Sequence, residues 1–133
     1  MGQTEPEKTD SYLDNDEYAN YLGVKLLAIT PDSAHCELEV NLKHMNGVGS
    51  VHGAVIFALA DIAFAAACNG EQKTIGMQAD IRYLNKPKGN RLYAQANGIS
   101  SSNKIVHYQV KVTDIYENKV ALFTGIAYKL TSP

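Results

Sequence analysis

Residues 51–68 read VHGAVIFALADIAFAAAC, and Asn69-Gly70 follow. The run is rich in alanine and apolar on every side, and Asn-Gly is a stop signal, so it reads as one helix. A helix that is hydrophobic all round has no face suited to water and must be enclosed by the rest of the chain. It is too short and too interrupted for a membrane span, because a carboxylate, Asp61, sits in its middle. Its alanines leave room for strands, or a second helix, to come close to the axis.

On either side of this helix the pattern changes to strands. Before it, Asp14-Asn15-Asp16 offers capping groups for a short helix over Glu17 to Leu22, and Gly23 stands where a left-handed terminator belongs. Val24 to Ile29 reads as a strand and Pro31-Asp32 as a turn. From Ala34 onward Cys36, Leu38 and Val40 alternate with His35, Glu37 and Glu39, the signature of a strand with one wet face. Residues 43–51 form a loop containing Asn46-Gly47 and Gly49. After the helix come four more strands, Lys73 to Leu84, Leu92 to Ser100, Ile105 to Tyr116 and Lys119 to Leu130, separated by short polar turns. Strands joined by short turns pair antiparallel. The last strand is apolar on both faces, so it belongs at the centre of a sheet or at an interface. The expected fold is α+β, a single antiparallel sheet wrapped around one long buried helix.

Composition limits the functional classes. The 133 residues suit one domain, expected over 10–133, with 1–9 as a disordered polar tail that lacks the apolar core of a signal peptide. A formal charge of −2 gives no general nucleic-acid footprint, so neither nucleic acid nor membrane is expected as a partner. Cys36 and Cys68 match no metal-ligand spacing and read as buried free thiols, which fits a reducing cytoplasm. No metal site is expected.

Two features could carry chemistry. Asp61 is flanked by Ala58, Leu59, Ala60, Ile62, Ala63 and Phe64. A carboxylate taken out of water has its acidity shifted unless it finds a partner. It is either a hydrogen-bonding group for a neighbouring loop or a functional acid/base. His52-Gly53 stands at the helix start, where a free N–H and the positive end of the helix dipole can stabilise an oxyanion. A glycine there also suits a tight loop-to-helix junction, and His52 suits a structural hydrogen bond. Gly53 and Asp61 are eight residues apart, about 12 Å of helical rise. That is too far for both to act on one carbonyl carbon. If both act, they come from different copies of the chain, and a dimer shares its two sites.

Asn46-Gly47, His52-Gly53 and Leu59-Ala60-Asp61 within an apolar helix ending Ala67-Cys68-Asn69 resemble the hotdog-fold thioesterases. The nearest branch is the acyl-CoA thioesterases of the phenylacetate-degradation type. The likeness runs from about Asp14 to Tyr128 and includes Ile81-Arg82-Tyr83-Leu84 and Ala121-Leu122-Phe123-Thr124-Gly125. It implies hydrolysis of a small aromatic or medium-chain acyl-CoA, with coenzyme A as part of the substrate and no other cofactor. Asp61 would be the nucleophile or the base activating water, and the Gly53 amide would polarise the thioester carbonyl. His52 and Asn46 would shape that site, with Asn15 near it. For the coenzyme A phosphates, charge is needed. Lys86, Lys88, Arg91 and Lys104 cluster around loops after the helix, and the resemblance points to Asn103-Lys104; any single lysine, taken alone, reads first as a solvated turn residue. Tyr83 and Tyr93 could line an acyl pocket or simply pack on the sheet. A homodimer, or a dimer of dimers making a homotetramer, is implied.

Two positions depart from the family pattern. Ala54 follows His52-Gly53 where a second glycine is usual. Gly76 stands where some relatives carry a hydroxyl near the carboxylate, leaving Thr74 as the nearest substitute. Two other readings differ in chemistry: a hotdog hydratase or dehydratase using His52 with Asp61, and a non-catalytic acyl-CoA binding module, which would have no need of Asp61.

Overall fold

The structure, a computed structural model, describes residues 12–70 and 72–130. The expected tail over residues 1–9 lies outside the described residues. Helix α1 spans Glu17–Leu22, as its caps require. Asp16 accepts a hydrogen bond from the Ala19 N–H at 3.0 Å. Gly23 ends the helix at φ 99°, a left-handed conformation that glycine adopts without strain, and donates its N–H to the Ala19 carbonyl at 2.9 Å.

Strands β1 (Val24–Thr30) and β2 (Ser33–Glu39) form a hairpin around Pro31-Asp32. Helix α2 then spans Gly53–Cys68. Strands β3 (Thr74–Tyr83), β4 (Arg91–Ser101), β5 (Ile105–Asp114) and β6 (Lys119–Lys129) complete one six-stranded sheet. Its order is β1-β2-β4-β5-β6-β3, antiparallel throughout. β6 lies inside the sheet between β5 and β3; its Ala121, Phe123, Gly125 and Ala127 face is buried, whereas Leu122, Thr124, Ile126 and Tyr128 on the other face are partly or fully exposed.

The sheet curls around α2, which packs against all six strands. Leu59, Ala60, Ala63 and Ala67 are sealed completely, facing Leu38, Leu92, Val110, Val112 and Phe123 from the sheet. Each large side chain so buried stabilises the fold by about 1.5–3 kcal/mol. Phe64 lies so close to β6 that a Cβ on Gly125 would sit 2.9 Å from its ring, so any side chain there would force the ring to move. This is the hotdog architecture expected from the sequence.

The helix is not enclosed on every side. Strand β3 is the sheet edge beyond β6, and Ile75, Met77 and Tyr83 on it are each more than half exposed. The face of α2 turned toward β3 carries Asp61, which is exposed in the single chain and not buried as its neighbours in sequence suggest. Cys36 is buried as expected, whereas Cys68 is only partly so; both are free thiols.

Candidate active site

The start of α2 is built by the loop before it. The Met45–Val51 bridge closes that loop, and the His52 N–H donates to the His44 carbonyl at 2.8 Å. Asn46 holds the tip: its Oδ1 accepts from the Val48 and Ser50 N–H groups, both at 3.0 Å. His44, which the sequence reading passed over, is the buried anchor. Its Nδ1 accepts from the Asn41 N–H at 3.0 Å, which places the proton on Nε2 for donation to the Leu22 carbonyl at 2.8 Å. A histidine among loop residues gives no sequence signal that separates this role from catalysis.

His52 caps the helix. Its Nδ1 accepts from the Ala54 N–H at 3.1 Å, fixing the tautomer with the proton on Nε2. The Val55 and Ile56 N–H groups donate to the His52 carbonyl at 3.0 and 3.2 Å. Of the four amides that begin α2, only that of Gly53 has no acceptor among the described residues. Across the helix start lies Tyr83 of β3, whose hydroxyl donates to the Gly53 carbonyl at 3.1 Å. Its ring approaches to 3.5 Å of where a Gly53 Cβ would be. The sequence offered Tyr83 as pocket lining or sheet packing; what it does here is pin the end of α2 to the sheet edge.

Asp61 lines a cavity of about 570 Å³ between α2 and β3. Phe57, Phe64, Ala65 and Cys68 share its helix face, and Ile75, Gly76, Met77 and Gln78 form the strand wall. Although the residue is exposed, the cavity walls take part of its carboxyl out of water, and the charge of Asp16 adds to the effect, so its pKa is raised above the ordinary carboxylate value. Tyr12 also lines the cavity; desolvation, followed by the charges of Asp16 and Asp61, pushes its hydroxyl up to about 12. Gly76 contributes no hydroxyl to the cavity, and Thr74 does not replace one, since its Oγ1 donates to Cys68 Sγ at 3.2 Å. Gln78 is a second polar strand residue lining this space. Asn15 lines a neighbouring cavity that shares Tyr12, Asn69 and Thr74 with this one.

The structure therefore groups Asn46, His52 and Gly53 at one end of α2 and sets Asp61 about two turns further on, about 12 Å along the axis. The basic residues do not cluster within one chain. Lys88 precedes β4, while Asn103 and Lys104 follow it, and the eleven residues of β4 separate the two groups by roughly 30 Å. The Lys88 loop is held by Asp114, a residue the sequence reading missed, whose Oδ2 accepts the Lys88 N–H at 2.9 Å. Arg91 is paired with Glu37 at 3.2 Å. Lys104 lies 5.9 Å from the centre of the Tyr128 ring. Among the described residues no group of three or more His, Cys, Asp or Glu side chains could hold a metal ion, and no helix is long and apolar enough to cross a membrane.

Comparison with known proteins supplies the family. Residues 48–121 match the Thioesterase superfamily model, a span that takes in the end of the loop, α2, β3, β4, β5 and the start of β6. The chain belongs to the thioesterase superfamily. The acyl-coenzyme A thioesterase PaaI of Escherichia coli is 29% identical over 119 residues, covering 88% of this chain and 85% of that protein. The solved structure of E. coli PaaI, from the phenylacetic acid degradation operon, superposes with a TM-score of 0.89 at 26% identity, covering 95% of this thioesterase and 93% of that chain. A mutant of the phenylacetic acid degradation protein PaaI from Thermus thermophilus is 32% identical with a TM-score of 0.83, covering 86% of this chain and all of that one. These matches confirm the hotdog fold and make the chain a thioester hydrolase.

Proposed function

We propose that this thioesterase hydrolyses a small aromatic or medium-chain acyl-CoA to the free acid and coenzyme A, in sites shared between two copies of the chain. The observation that carries the reading is the pairing of an unsatisfied Gly53 N–H, in a helix start whose other amides are all bonded, with a desolvated carboxylate on the same helix. The first is an electrophilic donor at the positive end of a dipole, and the second is a base strengthened by its surroundings. Similarity to PaaI supports coenzyme A as the thiol partner.

In this reading the thioester carbonyl accepts the Gly53 N–H of one copy and faces Asp61 of the other. As a base, Asp61 takes a proton from water while the water oxygen attacks the carbonyl carbon. The resulting oxyanion is held by Gly53. Collapse expels the coenzyme A thiolate, which takes the proton back from Asp61. As a nucleophile, Asp61 attacks directly, thiolate leaves, and water hydrolyses the mixed anhydride. His52, fixed as a cap, and Asn46, fixed in its loop, hold the Gly53 amide in place. Lys88 of one copy and Asn103-Lys104 of another supply groups for the coenzyme A phosphates, consistent with their distance within one chain. A homodimer is the minimum assembly, and a homotetramer contains two such dimers.

The test uses thiol release from a panel of acyl-CoA esters. Asp61→Asn should lose at least about a hundredfold in kcat. Gly53→Pro removes the proposed oxyanion donor and sets a ring beside Tyr83, at ordinary contact distance for its Cβ. Proline is favoured at the first helical position, and His52, at φ −63° and ψ 135°, already has the conformation a following proline requires. That variant should keep the helix and lose about a hundred- to a thousandfold in kcat. Wild-type rates in a folded Gly53→Pro protein would exclude the amide from the chemistry.

A further inference from the structure

Helix α2 presents Phe57, Asp61, Phe64, Ala65 and Cys68 along one face, at the three- and four-residue spacings of a single stripe. One of the cavity-lining helix residues, Phe57, precedes Asp61, and the others follow it. The space beside the carboxylate therefore extends toward the C-terminal end of α2. Gly76 adds no side chain to the strand wall of that route; a Cβ there would lie at ordinary contact distance, 3.6 Å, from Phe64.

The route ends at a bonded pair. Thr74 Oγ1 donates to Cys68 Sγ at 3.2 Å, and the Thr74 N–H donates to Asn69 Oδ1 at 2.9 Å. Asn69 is itself tied to α2 through its Nδ2, which donates to the Ala65 carbonyl at 2.9 Å. Thr74 is thus held at both its backbone and its side chain. Beyond the pair lies a second cavity of about 370 Å³, walled by Ile99, Val106 and Tyr108 and, on its polar side, by Asp32, Ser100 and Lys129. Cys68 and Thr74 line both spaces, so they are the partition between them. Seven residues separate Asp61 from Cys68, about 10 Å along the helix.

We propose that the Cys68–Thr74 pair is the end wall of the acyl pocket and sets the longest acyl group that this enzyme accepts. The inference rests on the thioesterase reading given above. An acyl group whose carbonyl lies at Asp61 and whose tail follows the open side of the cavity meets this wall after about 10 Å. Removing the wall joins the two cavities, and enlarging it shortens the first.

The experiment measures kcat/KM for straight-chain acyl-CoA esters from acetyl to dodecanoyl, with wild type, Cys68→Ala/Thr74→Ala, Thr74→Ala alone and Cys68→Met. The alanine variants should move the optimum to longer chains and raise the longest esters roughly tenfold relative to the wild-type optimum, the scale of a methylene-sized change in an apolar pocket. Cys68→Met should move it the opposite way. General destabilisation would depress every ester together and cannot produce opposite shifts. If wild type is active and the length profile is the same in all the variants, the end-wall assignment is wrong. If wild type releases thiol from aromatic acyl-CoA esters but from none of the straight-chain ones, the end-wall assignment is wrong; if it releases thiol from neither set, the acyl-CoA reading itself fails and this inference with it.

Discussion

Asp61 illustrates how a group suited to the proposed chemistry works against stability. Its carboxyl is desolvated by the cavity walls and faces the charge of Asp16, so the folded state favours the protonated form more than the unfolded chain does. A carboxyl with a raised folded-state pKa contributes stability at low pH and loses it as pH rises through the window between the unfolded and folded values. Asp61→Asn should therefore be at least as stable as wild type at pH 7, and the advantage should vanish below about pH 4, the unfolded carboxylate range. Thermal melts across pH check this. A variant less stable at pH 7 would show that the carboxylate has a favourable partner. For activity the same shift acts in reverse. In the proposed mechanism Asp61 works when ionised, so kcat should rise with pH through a value above that of an ordinary carboxylate.

Among the elements, the turn from β5 to β6 gives the opposite electrostatic case. Asp114 is buried, and burial alone would push its carboxyl up. Bonds from the Lys88 N–H, the Asn118 side chain, the Asn118 N–H and the Tyr116 N–H outweigh that and hold it below its ordinary value. One carboxylate thus closes its own turn and fastens the loop before β4, which carries Lys88. A depressed folded-state pKa gives stability that is present above the unfolded value and is lost as pH falls through the folded one. Asp114→Ala should lower stability by at least about 2 kcal/mol in urea titrations at pH 7, because buried N–H groups lose their acceptor. Asp114→Asn should differ from wild type most at neutral pH and progressively less below about pH 4. A constant difference across pH would show that the charge is immaterial.

At the scale of the molecule, the bare edge of the sheet is the feature that matters. An unpaired strand edge is open to a second chain. Here β3 exposes Ile75 and Met77 beside the Asp61 cavity, so the surface that would receive a partner is also the wall of the proposed site. Closed two-fold assembly would give two equivalent sites, each taking Gly53 from one copy and Asp61 from the other. Mixing inactive Asp61→Asn with inactive Gly53→Pro after co-refolding should then restore about a quarter of wild-type activity. Half of the randomly paired dimers are mixed, and each has one intact site of two. No recovery from a verified mixed dimer would place both groups in the same chain.

The sequence by itself determined the elements and the fold. The caps at Asp16 and Gly23, the apolar run of α2 and the alternation in β5 depend on residues near one another in the chain, and each appears where its pattern puts it. The spacing of Gly53 and Asp61 was likewise fixed once one helix held both. Tertiary structure decided what depends on distant neighbours. That Asp61 is open follows from β3 pairing with β6 at the sheet edge, a register that no local pattern in β3 records. The separation of Lys88 from Lys104 follows from β4 running its full length between them. Tyr83 over Gly53, Asp114 under Lys88 and Thr74 against Cys68 are contacts between segments that local periodicity treats as independent. Hydrogen bonding between such segments is set by how the sheet closes on the helix, and only the folded chain brings those atoms together.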